Sequence, residues 1–506
     1  MPDGQMRTRS SRLRATVTLA SAAFVAVFLS SCMVGPNFRE PAAPDVQGYT
    51  ESPVPAQTAE VPGSPAGAAQ RFVTNGDIAA DWWTLFRSEA LDRLIRRSLD
   101  ESPTLAAAEA ALRQAQENLL AARGALLVPG VDANASAARE KSVVAAGSSA
   151  GIFNLYNASV NVSYALDVFG GNRRQIESLQ ALVDYQAYQL RAAHLALTSN
   201  VVTAAVREAS VRAQIAATND IVRAQEKQLE LVTRQFRLGA ASRLGVLTLS
   251  SQVAQTRATL PGLERELVQT RNQLAALSGR APSDAGLPVL ELEGLTLPQE
   301  LPVSLPSALV RQRPDIRAAE ALLHQASAQV GVATANLYPN ITLSASAGSQ
   351  ALQLHRLFDG TGMVWSLGAG LVQPLFHGGE LQARRRAAVA AYDVAAAQYR
   401  STVLQAFQNV ADALTALDTD ARALSAQAQA ESEARQNLQL TTRQFELGGA
   451  SSLPLLIAQQ QYQQARLLLA QAQAARYADT AALFQALGGG WYDAAGNERA
   501  VVGSSR

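Results

Sequence analysis

The stretch Arg234-Gln-Phe-Arg-Leu-Gly-Ala-Ala-Ser242 returns 209 residues later as Arg443-Gln-Phe-Glu-Leu-Gly-Gly-Ala-Ser451. Further glycines and prolines of the two halves match at nearly the same offset, namely Gly279 with Gly488, Pro103 with Pro314, and Pro129 with Pro339. We infer one architectural unit built twice, with a period far longer than that of a solenoid repeat. Such a duplication favours a pseudo-symmetric object, such as a ring or tube, over an enzyme with a cleft.

The first residues have the form of an export signal. A basic segment precedes an apolar run over residues 15–29, which is too short to span a bilayer. The run closes on Leu29-Ser-Ser-Cys32, which resembles the bacterial lipobox and implies cleavage before Cys32 and acylation of that residue. Because Met33 and not aspartate follows, the lipidated protein would pass to the outer membrane if the cell is Gram-negative. The alternative is an uncleaved anchor in which Cys32, the only cysteine, is a buried membrane-segment residue.

Charge and hydropathy exclude two classes of protein. The formal net charge is +1, and the only basic cluster is 384–386, which argues against nucleic acid as a partner. No segment after the signal has about 18 consecutive apolar residues, so no transmembrane helix is expected in the mature chain. Residues 36–70 are rich in proline, alanine and glycine, a composition that predicts an extended, poorly ordered tether.

Four segments alternate between small polar and apolar residues with a period of two, and they are residues 131–137, 157–166, 340–347 and 364–372. This pattern is typical of transmembrane β-barrel strands. A soluble, half-buried sheet gives the same alternation.

The number of predicted strands sets a condition on the assembly. Four strands cannot close a barrel, and an open sheet edge cannot lie in lipid because its backbone groups would be unpaired. If the strands span the outer membrane, several chains must contribute, and three chains would give twelve strands. Residues 139–155 and 350–363 would then be the external loops.

Two proline-free segments predict helices too long for a globular domain. Residues 172–238 and 380–447 would each extend roughly 100 Å if helical throughout. The second contains a heptad of apolar residues, typical of a coiled coil, at Val389, Ala396, Val403, Val410, Leu417 and Leu424. Returning helices are predicted near 242–278 and 451–487, and shorter helices near 103–127 and 314–338. The fold class is therefore α+β, with long coiled-coil helical hairpins and four β-strands per chain in duplicated halves.

Several short motifs occur in order along the chain, namely Cys32-Met-Val-Gly-Pro36, Asp81-Trp-Trp-Thr-Leu-Phe86, Leu166-Asp-Val-Phe-Gly-Gly171 and Gln373-Pro-Leu-Phe-His-Gly-Gly379. Together with the paired turns, they resemble the TolC-like outer-membrane factors in their NodT-type lipoprotein branch. The resemblance implies a homotrimer with a 12-stranded barrel and a 12-helix periplasmic tunnel. It also implies a periplasmic adaptor and an inner-membrane transporter, expected to be of the RND type, as partners in a tripartite pump.

The expected organisation follows from the repeat and the resemblance. Residues 1–31 are the predicted signal peptide, 32–80 the lipidated tether, 81–279 the first repeat, 280–306 an equatorial linker, 307–488 the second repeat and 489–506 the C-terminal tail. The linker and the C-terminal segment would form an equatorial collar.

The resemblance also implies roles for the tip residues. In this family the matching turns meet the adaptor's hairpin, and the corresponding docking residues here are Arg234, Phe236, Gly239, Ser242, Arg443, Phe445, Gly448 and Ser451. The alternative is turn formation alone, with each glycine as a left-handed cap and each serine as the next helix N-cap.

A gate is expected near the start of the last helix. Family members often carry an acidic residue nine positions past the second tip glycine, whereas this chain has Ile457 there. Leu453 lies one turn earlier on the same helix face. In three copies these side chains would form an apolar closure that gates by dewetting. The alternative is that both residues pack between helices.

The residue types needed for catalysis do not occur in a suitable pattern. The histidines His194, His324, His355 and His377 have no ligand spacing, which argues against a zinc site. The carboxylates Asp412, Asp418 and Asp420 are better interpreted as solvated or lumen-facing groups than as a metal cluster. We therefore expect no enzyme, no cofactor and no metal.

The leading interpretation is a passive export duct in the outer membrane, extending into the periplasm, for small molecules such as drugs. An alternative within transport is the outer component of a type I protein-secretion system. A lipid-anchored coiled-coil scaffold without a pore belongs to a different class. An autonomous porin is disfavoured because it needs no long helices.

Overall fold

A computed structural model describes residues 33–142 and 151–491, apart from Gln47, Asn75, Asp77, Ala285 and Ala450. The predicted signal peptide, the predicted lipidation site Cys32 and residues 492–506 of the predicted tail lie outside the described residues.

Eight α-helices and six β-strands occur in the described part of the chain. In order they are β1 (Arg71–Thr74), α1 (Glu89–Glu101), α2 (Pro103–Leu127), β2 (Gly130–Ser142), β3 (Gly151–Leu166), α3 (Gly171–Arg237), α4 (Arg243–Leu277), β4 (Glu300–Val303), α5 (Pro306–Gln312), α6 (Pro314–Ala335), β5 (Asn340–Ala351), β6 (Met363–Val372), α7 (Glu380–Glu446) and α8 (Ser452–Ala486). Short 3-10 turns occur at Trp82–Phe86, Pro282–Asp284, Leu292–Gly294 and Leu354–Arg356. The predicted mixture of long helical hairpins and strands in two matching halves is confirmed.

Backbone proximity divides the chain into two compact units, each drawing on both repeats. The sheet unit contains residues 33–41, 111–186 and 319–399, and the helical unit contains residues 42–110, 187–318 and 400–491. The long helices α3 and α7 contribute to both units, because each is continuous across a unit boundary.

The sheet unit contains one antiparallel sheet with the strand order β2-β3-β5-β6. Its strands are longer than predicted, since residues 139–142 and 151–155 belong to β2 and β3 and not to a loop. The predicted loop over 139–155 is therefore wrong at both ends. The charged side chains of residues 139–141 interrupt the alternation of polar and apolar residues. They do not interrupt the backbone pairing of β2 with β3, in which Arg139 lies opposite Asn154.

A second, two-stranded sheet in the helical unit was not expected from the sequence. β1 and β4 pair in parallel, with Arg71 opposite Glu300, so the segment predicted as an equatorial linker holds a strand. Its side chains also pair, since Arg71 and Glu300 form an ion pair.

The helical unit packs its aromatic residues around the Asp-Trp-Trp motif. Trp82, Trp83 and Phe86 are buried. The Trp82 ring stacks on Phe484 of α8 at 5.2 Å between centroids, and the Phe86 ring meets Tyr477 edge-on at 6.1 Å. Aromatic pairs of this geometry add to the stabilisation that burial of their area provides. The motif that supported the family resemblance is thus a structural core of this unit.

The coiled-coil packing predicted for the second long helix is seen over part of its length. Val403, Val410, Leu417 and Leu424 are buried, whereas Val389 at the start of the heptad series is exposed. Side-chain hydrogen bonds also join α8 to the other long helices, namely Ser210 to Ala470, Gln460 to Gln252 and Asn437 to Gln461. A helix as long as α7 is stable only when other helices pack along its length, and these contacts supply such packing.

Part of the predicted tether is firmly packed. Gln70 is fully buried, and its amide group donates to Pro298 O at 2.9 Å and to Thr480 Oγ1 at 3.0 Å. Arg476 of α8 donates to Ala68 O at 3.1 Å. The expectation of a poorly ordered segment over residues 36–70 is therefore wrong for these residues. None of the helices in the described residues has an apolar stretch long enough to cross a bilayer.

Candidate functional site

Each of the two outer strands of the four-stranded sheet is unpaired along its outer edge. Within the described residues, β3 and β5 are central, while β2 and β6 each pair on one side only. Trp365, Leu367 and Leu371 of β6 are exposed on one face of the sheet. An open sheet edge presents unpaired backbone donors and acceptors, so these two edges are sites where further strands can add.

Both helical hairpins turn through the same backbone motif. At the end of α3, Gly239 has φ +75° and donates to Phe236 O, while Ala240 donates to Gln235 O at 2.8 Å. This is a Schellman cap, and glycine suits its left-handed position because it has no Cβ atom. At the end of α7, Gly448 has the same φ of +75°, and the equivalent two hydrogen bonds are present.

The two serines that follow the turns differ. The Ser242 side chain accepts a hydrogen bond from Gly245 N at 3.2 Å and caps α4. Ser451 occupies the equivalent position before α8, but its side chain makes no capping hydrogen bond. The capping interpretation therefore holds in full for Ser242, whereas Ser451 is the N-cap residue by position without a side-chain hydrogen bond.

The hairpin ends lie close together in the helical unit. Val232, Leu249 and Leu456 form a buried cluster, against which Phe445 of the second tip packs. Phe236 of the first tip is 42% exposed. The predicted docking residues of both tips thus belong to one neighbourhood. Arg443 is exposed there, and Arg234 forms an exposed ion pair with Glu230 at 2.9 Å.

The two predicted gate residues face the same way. Leu453 is 62% exposed and Ile457 is 46% exposed, while Leu456 between them is buried in the cluster. Within one chain, therefore, neither gate residue is enclosed between helices. The assignment of a gate remains a prediction, because its test is the assembled oligomer.

The sequence analysis did not identify an acidic pair inside the helical unit. Asp420 of α7 and Asp479 of α8 lie next to each other in the helical unit. Burial, the hydrogen bond from Asp420 and its negative charge raise the pKa of Asp479 to about 8, and Arg476 opposes this shift. The sequence analysis considered Asp420 only together with Asp412 and Asp418, and no spacing pointed to Asp479 on another helix.

Arg476 itself is fully buried in α8. Its Nη1 donates to Leu417 O at 2.9 Å and its Nη2 to Thr58 Oγ1 at 3.2 Å. Burial lowers the pKa of this guanidinium, although the side chain remains a cation at any ordinary pH. Its charge-assisted bonds therefore hold the 58–68 segment on α7 and α8.

The histidines are not arranged as a metal site. In the part of the chain that the structure describes, no group of three His, Cys, Asp or Glu side chains is placed to hold a metal ion. The Nε2 atom of His324 lies 2.9 Å from Glu177 Oε1, so a hydrogen bond to a carboxylate accounts for that histidine. Asp418 likewise pairs with Arg422, at 2.8 Å.

Comparison with known proteins assigns nearly the whole chain to one protein family. The family model of the outer membrane efflux proteins matches residues 94–280 and 305–489, which are the two repeats. The probable efflux pump outer membrane protein TtgC of Pseudomonas putida is 31% identical over 96% of this chain and 99% of its own length. Nodulation protein T of Rhizobium leguminosarum is 30% identical over 89% of each chain.

The fold agrees with a solved channel. The outer-membrane channel OprN superposes with a TM-score of 0.82 at 27% identity, over 91% of this chain and all of that one. The resemblance to TolC-like, NodT-type outer-membrane factors is therefore confirmed. The chain belongs to the outer membrane efflux protein family, and it is an outer-membrane efflux channel.

Proposed function

We propose that three copies of this chain close a 12-stranded β-barrel in the outer membrane and a 12-helix tunnel in the periplasm. The assembly is the passive exit duct of a tripartite pump. It receives small molecules from an inner-membrane transporter, expected to be of the RND type, through a periplasmic adaptor. The observation that carries this proposal is the pair of open edges on β2 and β6, because an unpaired edge is not tolerated in lipid.

The internal repeat supports a specific pairing between copies. β2 and β5 follow equivalent prolines, so Val131 and Ile341 are equivalent positions. Val131 pairs with Val162 of β3, and Ile341 pairs with Leu371 of β6. Leu371 is therefore the equivalent of Val162 in the second repeat.

The central strand pair supports one particular register at the proposed interface between copies. Within one chain, Val162 of β3 pairs with Ala345 of β5. The equivalent of Ala345 in the first repeat is Ala135 of β2. We therefore expect Leu371 of one copy to lie opposite Ala135 of the next, with both side chains on the apolar face.

This register can be tested by disulfide formation. Cys32 is the only native cysteine, so a Leu371→Cys, Ala135→Cys double variant introduces the only pair of new thiols. Residues directly opposite in an antiparallel pair have Cβ atoms about 5 Å apart, close to what a disulfide requires. Oxidation is expected to give a covalent trimer on a denaturing gel, and the crosslinked trimer is expected to conduct ions across a planar bilayer.

The matched control is the Leu371→Cys, Asn134→Cys double variant, because Asn134 lies on the opposite face of the same strand. It should remain monomeric on the denaturing gel. Crosslinking that stops at a dimer, or a trimer without conductance, would contradict the proposal and favour a lipid-anchored scaffold without a pore.

We further propose that Cys32 carries the lipid anchor. The support is the lipobox-like Leu29-Ser-Ser-Cys32 and the similarity to the NodT-type relatives. Cargo of small organic molecules is supported by two Pseudomonas putida relatives, both 31% identical over 96% of this chain. They are an antibiotic efflux pump outer membrane protein and a toluene efflux pump outer membrane protein.

The helical tips are proposed as the adaptor-docking end, with Leu453 and Ile457 as the gate. Support for the docking end comes from the two identical turns lying beside one buried cluster. Support for the gate comes from the exposed apolar face that both residues share at the start of α8. Three such faces around one axis would give an apolar constriction, which closes to ions by dewetting.

A further inference from the structure

The residues that directly follow Cys32 are attached to the sheet unit. Residues 33–41, named here the strap, run beside the exit of β3. Val34 N donates to Phe169 O at 3.1 Å. Met33 lies so close to Gly170 that a Cβ atom there would meet Met33 Cγ at 2.6 Å. The strap is therefore fitted to this exit, in contact with it from its first residue.

A buried arginine holds the strap. Arg174, in the first turn of α3, has a side chain that is only 1% exposed. Its Nε donates to Val34 O at 3.3 Å, while its Nη2 donates to Gly35 O at 3.4 Å and to Asn37 Oδ1 at 2.7 Å. A guanidinium offers five donors in a fixed fork, which suits several acceptors at once. Three of its acceptors here come from the strap.

Arg174 is also linked to the strap through a series of side-chain contacts. Its Nη1 donates to Glu177 Oε2 at 2.7 Å, and Glu177 Oε1 lies 2.9 Å from His324 Nε2. The ring of His324 stacks on Phe38 of the strap, with the ring centroids 4.4 Å apart. Arg174 and Glu177 belong to α3 in the first repeat, whereas His324 belongs to α6 in the second. The strap therefore contacts both repeats.

Two glycines permit the close approach. Gly35 has φ +91°, and a Cβ atom on it would lie 2.5 Å from the Cα atom of Gly331 in α6. A Cβ atom on Gly331 would in turn lie 2.7 Å from Cδ of Arg174. A backbone–backbone contact of this kind cannot be relieved by a rotamer change, so a side chain at position 35 is excluded by both space and backbone conformation.

We propose that Arg174, Glu177, His324 and Gly331 form a receptor site for the strap, which joins the two repeats and fixes the residues that follow Cys32 at the exit of β3. A buried guanidinium is stable only while its donors have acceptors, and the strap supplies most of them. Docking consequently does not require the lipid. The statement that the strap carries an acyl chain rests on the proposed lipidation of Cys32, and docking of the strap does not.

Hydrogen exchange on the purified full chain in detergent tests the site. In the wild type, peptides that contain the hydrogen-bonded amide of Val34 should show one slowly exchanging amide. Gly35→Ala breaks the fit without altering Arg174, and Arg174→Lys keeps the charge but loses the fork. Both variants should speed exchange in these peptides by at least about tenfold. Gly48→Ala is the matched control, since a Cβ atom there meets nothing within 4 Å, and it should exchange like the wild type.

The Cys32→Ala variant separates this site from the lipidation proposal. Fatty-acid labelling should disappear in that variant while slow exchange of the strap persists. Persistent labelling would overturn the assignment of Cys32 and leave the receptor site standing. Fast exchange of the strap in Cys32→Ala, or slow exchange in both Gly35→Ala and Arg174→Lys, would overturn the receptor site.

Discussion

Phe236 and Phe445 hold equivalent positions before the two tip glycines, yet only Phe445 packs against the buried cluster of the hairpin ends. Phe236 is 42% exposed. The backbone turns are alike in their hydrogen bonds and in the φ of their glycines. The two tips are thus alike in backbone conformation, but they differ in whether the phenylalanine is packed or exposed.

The two phenylalanines should respond differently to truncation. Phe445→Ala removes a partly buried ring from the cluster and should lower the free energy of unfolding by about 2 kcal/mol. Phe236→Ala should change it by less than about 0.5 kcal/mol, but should weaken adaptor binding if the tips dock the adaptor. Chemical denaturation and binding of the purified adaptor measure the two effects. Equal destabilisation by both variants would contradict the difference between the tips.

Gly448→Val should abolish export while leaving a folded oligomer. The glycine has φ +75°, which a β-branched residue cannot adopt without strain, although no atom lies within 4 Å of the position a Cβ would take. The turn must therefore rearrange, and the surface offered to the adaptor changes. Drug susceptibility in cells and gel filtration of the purified protein are the measurements.

The control for that experiment is Gly262→Val in α4. Its surroundings are equally open, but its φ is ordinary for a helix. This variant should export normally. If Gly448→Val also exports at the wild-type rate, the second tip does not dock the adaptor.

The sequence predicted the long helices well because their ends are marked chemically. Absence of proline over residues 172–238 and the glycine caps defined α3 to within one residue at each end. Strand lengths were underestimated, since Arg139 and its neighbours obscure the alternation while still pairing through the backbone. Local residue chemistry marks helix ends more clearly than it marks the ends of paired strands.

The rest of the fold and site depended on contacts between distant residues. β1 and β4 are four-residue strands, and Arg71 lies 229 residues from its partner Glu300. The acceptor Asn37 is 137 residues from Arg174. Neither partnership leaves a periodic pattern, so reading along one sequence gives no indication of it. The resemblance to a family supplied the expectation of a trimer and of pump partners, but not these contacts.

Stability should fall as the pH rises towards 8. The folded-state pKa of Asp479 is raised from 3.8 to about 8, chiefly by burial and then by Asp420. Between these values the folded chain holds a proton that the unfolded chain releases, so folding is favoured at the acidic end and weakened as the pH increases. The slope is at most about 1.4 kcal/mol per pH unit.

Asp479→Asn imitates the protonated carboxyl group and should flatten that slope. Asp418→Asn, which removes only an ion pair with Arg422, is the control and should keep it. Denaturant midpoints between pH 5 and pH 9 provide the comparison. A slope that is the same in Asp479→Asn as in the wild type would show that this carboxyl group does not hold the proton.

The gate prediction rests on an exposed apolar face. Leu453 and Ile457 are one turn apart on α8, and both are exposed in the single chain, whereas Leu456 is buried. Hydrophobic residues that remain exposed near the end of a hairpin are either covered by a neighbouring copy or line the axis of the oligomer. The first case gives packing, and the second gives a constriction that excludes ions by dewetting.

Two substitutions separate these cases, and the repeat provides their controls. If the residues form the gate, Ile457→Asp should raise cation conductance and cation selectivity, because charge at a dewetted constriction restores its water. Leu453→Ser should open the resting channel to large solutes.

The equivalent positions in the first hairpin are Leu244 and Thr248, and Leu244→Ser with Thr248→Asp should leave conductance near the wild-type value. Bilayer recordings and antibiotic uptake, in variants shown to assemble as the wild type does, decide the matter. If Ile457→Asp and Leu453→Ser assemble correctly and leave both measurements unchanged, these residues only pack between helices, and the constriction lies elsewhere in the tunnel.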